Sequence, residues 1–378
     1  MKYYFIAGEA SGDLHGSNLI KSLRQKDPDF TGRGFGGELM QNQGMKLVKH
    51  YKDMAYMGFI PVLLHINKIK QNFQLCEKDI LKFKPNVLIL IDYPGFNLKM
   101  AKFAHEHNIR VFYYISPKIW AWKTYRIKSI KKYVDEMFTI LPFETDFYKK
   151  YNYPVHYVGN PTLDEIDEIL TNKSFKQFAE ENQLLIKPII AILPGSRLQE
   201  IHTLLPKMLK AASTFHNYQI VIAAAPNIHK EEYNKITKGY AIKFIYGKTY
   251  EILQQSKIAI LASGTVSLEA AIIGCPQIVC YKMAGGRPFS FIARKILKIK
   301  WVSLVNLILN HESVKELLQE DFTVKNIIIE TKKILEIKEY RERILTEYKE
   351  LRDQLGKSNT AEKAAQKMIC TLNMGIKK

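Results

Sequence analysis

The chain alternates short, almost wholly apolar runs with longer stretches in which apolar residues recur at helical spacing. In the first half, residues 3–7, 87–91, 111–115 and 137–140 read as strands, and 14–25 and 98–107 read as helices between them. Continuous apolar runs are the mark of strands buried on both faces, and strand–helix alternation predicts a parallel sheet covered by helices. The pattern then restarts, with strand candidates at 189–193, 219–223, 242–246, 258–261 and 277–280. The break falls near Gly159-Asn160-Pro161, before a polar, helix-prone stretch at 162–183, and residues 324–374 are charged and helical without a strand candidate. The expected fold is α/β, two Rossmann-like domains facing across a cleft. The first spans 1–160, the second 161–345, and helices over 346–378 return toward the first.

In doubly wound sheets ligands bind beyond the carboxyl ends of the strands, so the strand-to-helix junctions carry the candidate chemistry. Gly8-Glu9-Ala10-Ser11-Gly12-Asp13 is small enough for backbone N–H groups to approach an anion at a helix start, or else Ser11 or Asp13 simply caps that helix. Leu193-Pro194-Gly195-Ser196-Arg197 places Ser196 and Gln199 at capping-box spacing. Arg197 sits at the positive end of a helix, where the dipole disfavours a cation unless an anion is shared. Ser263-Gly264-Thr265 again suits phosphate, and Glu269, about one turn on, suits ribose hydroxyls or lies on an exposed face. Asp92, in Ile91-Asp92-Tyr93-Pro94-Gly95-Phe96-Asn97, is either a turn residue or a general base whose pKa its apolar surroundings raise.

Composition narrows the setting. A 378-residue chain with 47% hydrophobic residues can bury two ordinary cores. Cys76, Cys275, Cys280 and Cys370 form no C-x-x-C pair, so neither a disulfide framework nor a zinc site is indicated. The first residues read as a strand rather than a secretory leader, and no run reaches the ~18 apolar residues of a spanning helix. Lys plus Arg numbers 56 against 37 Asp plus Glu, a formal charge of +19 that attracts anionic partners. No nucleic-acid-binding signature accompanies it. The apolar stretch 54–73, or the basic stretch with Lys123, Arg126, Lys128, Lys131 and Lys132, would suit an anionic bilayer; the former reads equally well as a core helix. Gly32-x-Gly34-x-x-Gly37 does not follow the first strand, and Asp27-Pro28-Asp29 falls at the wrong end of the sheet for a metal-binding D-x-D.

Taken together and in order, these junctions, with Ser116-Pro-Lys-Ile-Trp-Ala-Trp122, Leu141-Pro-Phe-Glu144, Tyr281-Lys-Met283 and Val302-Ser-Leu-Val-Asn306, resemble the lipid-A-disaccharide synthase family over nearly the whole chain. The resemblance implies a GT-B glycosyltransferase fold. Its implied donor is UDP-2,3-diacylglucosamine and its acceptor 2,3-diacylglucosamine 1-phosphate (lipid X), giving the β-1,6-linked disaccharide 1-phosphate and UDP. By the same resemblance Asp92 is the base and Asn306 a second functional residue. Arg197, Thr265 and Glu269 line the nucleotide site, beside Gly195, Ser196, Ser263 and Gly264, and Glu9, Ser11 and Gly12 belong to a loop facing the cleft. No cofactor and no metal are expected, since Arg197 and helix N-termini would stabilise the leaving diphosphate. Val305 and Asn160 stand where many members have Pro and His. The expected location is the cytoplasm, peripheral on the inner face of the inner membrane. The rival readings are a UDP-N-acetylglucosamine epimerase-like enzyme and a non-catalytic basic protein that binds lipid or nucleic acid.

Overall fold

A computed structural model describes residues 1–54, 66–170, 173–282 and 300–376. The chain forms two compact units, Met1–Pro161 with Lys357–Lys378, and Thr162–Gly356. The first unit holds a seven-stranded parallel sheet of order β3-β2-β1-β4-β5-β6-β7. Its strands are β1 (Lys2–Ala7), β2 (Thr31–Gly36), β3 (Met45–His50), β4 (Val87–Ile91), β5 (Arg110–Tyr114), β6 (Glu136–Thr139) and β7 (His156–Tyr157). The second holds a six-stranded parallel sheet of order β10-β9-β8-β11-β12-β13. These are β8 (Ile189–Leu193), β9 (Gln219–Ala224), β10 (Ile242–Tyr246), β11 (Ser256–Ala262), β12 (Gln277–Tyr281) and β13 (Lys315–Leu318).

Burial explains which strands are apolar throughout. Val87, Leu88, Ile89, Leu90 and Ile91 of β4 are all 0% exposed, because β4 lies inside the sheet with helices on each face. Each such side chain contributes roughly 1.5–3 kcal/mol on burial. Edgeward β2 and β3 instead read TGRGFG and MKLVKH, without an apolar run. Gly34 shows why: at φ +152° it passes so close to β1 that a Cβ would stand 2.0 Å from the Phe5 carbonyl oxygen. Gly32 and Gly34 of the G-x-G-x-x-G string therefore belong to a strand, and Gly37 is the N-cap of the helix Glu38–Asn42, its N–H taken by Asp13. The last helix, Thr360–Ile376, packs on Ala10–Lys26 within the first unit, burying Ala364, Ala365, Met368 and Leu372 among the strand side chains of that face.

In both sheets the order reverses at one place, between β1 and β4 and between β8 and β11. Loops leaving a parallel sheet at such a point diverge to opposite faces and open a crevice for ligand. The registers Ala7↔Ile91 and Leu193↔Leu261 bring the following loops out side by side. Among the described residues, no helix is long and apolar enough to cross a membrane. Residues 55–65, the greater part of the apolar 54–73 stretch, and Met283 fall outside the described residues.

Candidate functional site

At the first reversal point, Asp92 follows β4 directly and its N–H donates to the Tyr114 carbonyl at 3.1 Å, extending the ladder by one residue. Asp92 and Tyr93 then both take left-handed backbone, φ +43° and +46°, which costs a non-glycine residue roughly 1–2 kcal/mol each. The surroundings hold the turn. Asn97 Nδ2 donates to the Asp92 carbonyl at 2.7 Å and the Tyr113 hydroxyl donates to it at 2.5 Å. Tyr93 donates to the Met54 carbonyl at 3.0 Å. Burial pushes the Asp92 carboxyl up to about 6; Lys118 pulls it down, Glu9 raises it further, and the Tyr93 N–H lowers it. Glu9 and Asp92 thus share one locus, and Lys118, of the Ser116–Trp122 motif, joins them without having been singled out from sequence.

The rest of the 8–13 loop is divided between packing and surface. Ser11 is exposed, whereas Gly12 is buried, with room for a Cβ only 3.2 Å from that of Ala7. Asp13 does not cap its own helix. It accepts from the N–H groups of Gly37 (2.8 Å), Leu39 (3.1 Å) and Met40 (3.1 Å), satisfying the start of the helix Glu38–Asn42. Asp27 is similarly committed: it accepts from the Tyr3 hydroxyl at 2.8 Å and the Asp29 N–H at 3.1 Å.

Beside Asp92 the loops after β5 and β6 are tied together by Glu144. This buried carboxylate accepts from Trp120 Nε1 at 3.2 Å and from the N–H groups of Ile140 (3.3 Å) and Leu141 (3.1 Å). Burial pushes it up to about 7, against the pull of those donors. Trp122 is 54% exposed, with the Lys123 ammonium 3.9 Å above its ring.

At the second reversal point a cavity of about 440 Å³ is lined by Gly195, Ser196, Arg197, Ser263, Gly264, Thr265 and Glu269, with Asn227 and Thr249 among its other walls. The nucleotide-site residues expected from sequence thus come together on one unit. A second cavity of about 300 Å³ shares Thr249 and Glu269 and adds Gly247, Lys248 and Tyr250. Gly195 has φ +105°, open to glycine at little cost. Arg197, 74% exposed, pairs with Glu200 at 3.1 Å. The Ser196–Gln199 capping box does not form: the helix Leu198–Ala212 starts one residue later, with Arg197 at the N-cap and no side-chain cap. Burial pushes the Glu269 carboxyl up to about 7; Glu165 adds to the rise and Thr265 opposes it.

Asn306 lies apart from this cavity's walls and is 0% exposed. Its Nδ2 donates to Val314 O and Glu316 Oε1, each at 2.9 Å, and its Oδ1 accepts from Ser313 N and Val314 N, each at 2.9 Å. Every hydrogen-bonding position of the amide is occupied by groups at 313–316, which ties the helix Leu304–Leu309 to the start of β13. Asn160 is likewise turned inward, donating to the Ile140 carbonyl at 3.0 Å.

Two parallel-sheet α/β units, each with its loops gathered at a strand-order reversal, define the GT-B class. Solved structures agree on the fold. UDP-GlcNAc 2-epimerase from Neisseria meningitidis bound to UDP-GlcNAc superposes with TM-score 0.66 at 15% identity, covering 98% of this chain and 100% of that one. A UGT transferase from Siraitia grosvenorii in complex with UDP gives TM-score 0.60 at 12% identity, covering 98% and 99%. Sequence comparison goes further. The family model for lipid-A-disaccharide synthetase matches residues 3–368. The lipid-A-disaccharide synthase of Myxococcus xanthus (strain DK1622) is 36% identical over 98% of this chain and 97% of its own. That of Coxiella burnetii (strain CbuK_Q154) is 37% identical over 96% of each. The chain belongs to the lipid-A-disaccharide synthase family and is a glycosyltransferase of lipid A biosynthesis. That family implies a UDP-sugar donor and a lipid acceptor.

Proposed function

We propose that the enzyme transfers 2,3-diacylglucosamine from its UDP conjugate to the 6-hydroxyl of 2,3-diacylglucosamine 1-phosphate, with inversion, and releases UDP. Asp92 is the base. Its position carries the reading: a carboxyl at the end of a buried strand, held in left-handed backbone and pushed up to about 6, is weak enough as an acid to accept a proton near neutrality. It takes the acceptor hydroxyl proton as the oxygen attacks the anomeric carbon and the bond to the β-phosphate oxygen breaks. Lys118 keeps it ionised between turnovers, and Glu9 opposes that.

The UDP lies in the cavity of the second unit. Support comes from Gly195, Ser196, Arg197, Gly264 and Thr265, strand-end and helix-start residues that line it. Fixed donors at helix starts stabilise charge that grows on a leaving diphosphate, so no divalent metal takes part. Glu269 accepts from the ribose hydroxyls, and the adjoining cavity bounded by Gly247, Lys248 and Tyr250 gives the nucleotide further room. Asn306 acts indirectly, by holding Glu316. The enzyme works on the cytoplasmic face of the inner membrane, drawn to anionic lipid by its +19 charge.

The test is UDP release from donor alone, acceptor alone and both together. Release and a disaccharide product only with both is expected. Conversion of UDP-sugar without acceptor would favour epimerase chemistry, and binding without UDP release would make the protein non-catalytic.

A further inference from the structure

β4 and β5 pair in the register Ile91↔Tyr114, so the loop after β5 leaves the sheet beside Asp92. That loop is built as a fixed platform. Ile119 is buried, the hydroxyls of Ser116 and Tyr148 hydrogen-bond at 2.8 Å, and Trp120 Nε1 is held by Glu144. Two turns follow one another. The Ala121 N–H donates to the Lys118 carbonyl at 3.2 Å, and the Arg126 N–H to the Lys123 carbonyl at 3.0 Å. The Thr124 hydroxyl ties the two together, donating to the Ile119 carbonyl at 3.2 Å.

Outward, the platform carries cations and an indole. Lys118 is exposed, and Lys123 and Arg126 are half-buried. Among the described residues, none of the three forms an ion pair with a carboxylate. Other cations of the first unit do: Arg33 pairs with Asp79 at 2.6 Å, Lys26 with Glu362 at 3.2 Å and Lys52 with Glu38 at 3.0 Å. The Lys123 ammonium instead stands over the exposed ring of Trp122, a contact that orients a cation without neutralising it. The other two cations act on the locus of Asp92. Burial raises the Asp92 carboxyl and Lys118 pulls it down, while Glu9 raises it. Burial and Asp92 push the Tyr113 hydroxyl up and Arg126 pulls it down, and that hydroxyl donates to the Asp92 carbonyl. Holding half-buried cations on a rigid loop without an anion is costly unless a ligand supplies one.

The chemistry of the acceptor says which anion that is. It carries one phosphate, on C1, and reacts through the hydroxyl on C6. A single pyranose ring therefore separates its phosphate from the proton that Asp92 removes. Cations grouped about Asp92, none of them in salt-bridge contact with it, are placed to meet that phosphate when the hydroxyl meets the base.

We propose that Lys118, Lys123 and Arg126 form the site for the 1-phosphate of the acceptor and make the enzyme selective for a phosphorylated acceptor, with Trp122 holding Lys123 in place. This rests on the reading of Asp92 as the base and deepens it. The arriving phosphate takes up the charge of Lys118, so the pull of Lys118 on Asp92 weakens when a base is needed.

The experiment measures UDP release with excess donor and either of two detergent-dispersed acceptors, 2,3-diacylglucosamine 1-phosphate or the same lipid without phosphate. Wild type is expected to prefer the first. Lys123→Gln and Arg126→Gln are each expected to cut that preference in kcat/KM on the order of 10–100-fold, mainly through KM. Lys123→Arg, which keeps the charge, is expected to retain it. As a measurement that needs no variant, glucosamine 1-phosphate is expected to compete with the acceptor on wild type far better than glucosamine. Variants that lose turnover on both acceptors alike, keeping the wild-type preference, would overturn the phosphate site and leave Asp92 in place. Wild type that uses both acceptors equally, or that glucosamine inhibits as well as its 1-phosphate, would overturn it too. Wild type that releases UDP with neither acceptor would overturn the transfer reading and this site with it.

Discussion

The ring of Tyr93 lies against Gly8, so closely that a Cβ on residue 8 would stand 2.3 Å from its Cγ. The register Ala7↔Ile91 puts these residues opposite each other as they leave β1 and β4, and the Tyr93 hydroxyl is anchored to the Met54 carbonyl. The ring cannot withdraw without moving the left-handed pair Asp92–Tyr93. Gly8→Ala is therefore expected to destabilise the protein by about 1–3 kcal/mol, as overpacking does. It should also lower turnover by on the order of tenfold or more through displacement of Asp92. Denaturant midpoint and UDP release on the same protein check this; loss of stability with full turnover would detach Gly8 from the site.

Arg197 and Glu200 make a second, opposed pair of expectations. Arg197→Ala removes the proposed charge-assisted contact to the diphosphate and should cost on the order of 2–4 kcal/mol in the transition state. Glu200→Gln removes the carboxylate that pairs with Arg197 at 3.1 Å and sits over Gly195. It should leave UDP inhibition equal or stronger. Inhibition constants for UDP measure both, and repeating the assay after exhaustive chelation tests metal independence. Activity lost to EDTA and restored by magnesium would contradict that part.

Glu144 shows what a buried carboxylate contributes when its bonds are local. Glu144→Ala leaves the Trp120, Ile140 and Leu141 N–H groups without their acceptor. Stranded donors cost about 1–3 kcal/mol each, so a lowered denaturant midpoint with a shift in tryptophan emission is expected. The sign with pH follows from its raised value. Stability from the neutral carboxyl is complete below the ordinary 4.5 and is lost as pH rises through about 7. Glu144→Gln should therefore flatten the fall in melting temperature between about pH 4.5 and pH 7.

These residues also mark how far the sequence could be read. β4 and β8 were legible because five consecutive buried apolar residues admit few alternatives. β2 and β3 were not, because glycines and lysines carry no strand signal, and the need for Gly34 arises from Phe5, far away in sequence. The residues of the nucleotide cavity were legible as strand-end loops, since topology alone places such loops together. The tasks of Asp13, Glu144 and Asn306 were not. Asp13 bonds to amides near residue 37, Glu144 to an indole on another loop, and Asn306 to the start of β13. The Ser196–Gln199 spacing suggested a cap that the chain replaces by starting the helix at Leu198. Local pattern does not encode such partners.

Asp92 gives the sharpest test. Asn keeps the side-chain shape and tolerates left-handed backbone, so Asp92→Asn removes the basic oxygen and little else. Turnover is expected to fall about 10²–10⁴-fold, or roughly 3–5 kcal/mol of barrier, with UDP affinity unchanged. Stability should move the other way. Folding raises this carboxyl from its ordinary 3.8 to about 6, so the stabilisation held by its neutral form is lost as pH rises through about 6. Asn cannot ionise, and Asp92→Asn should melt at an equal or higher temperature than wild type above that pH, the gap closing toward pH 4. Wild-type kcat/KM should fall on the acid side with a limb near 6. Lys118→Met, which removes the ammonium that favours the ionised form, should move that limb to higher pH. Turnover, UDP affinity and melting temperature across pH on the same preparations decide the matter. Near-normal turnover in a folded Asp92→Asn enzyme would remove Asp92 from the mechanism. An unmoved limb in Lys118→Met would show that Lys118 does not act on it.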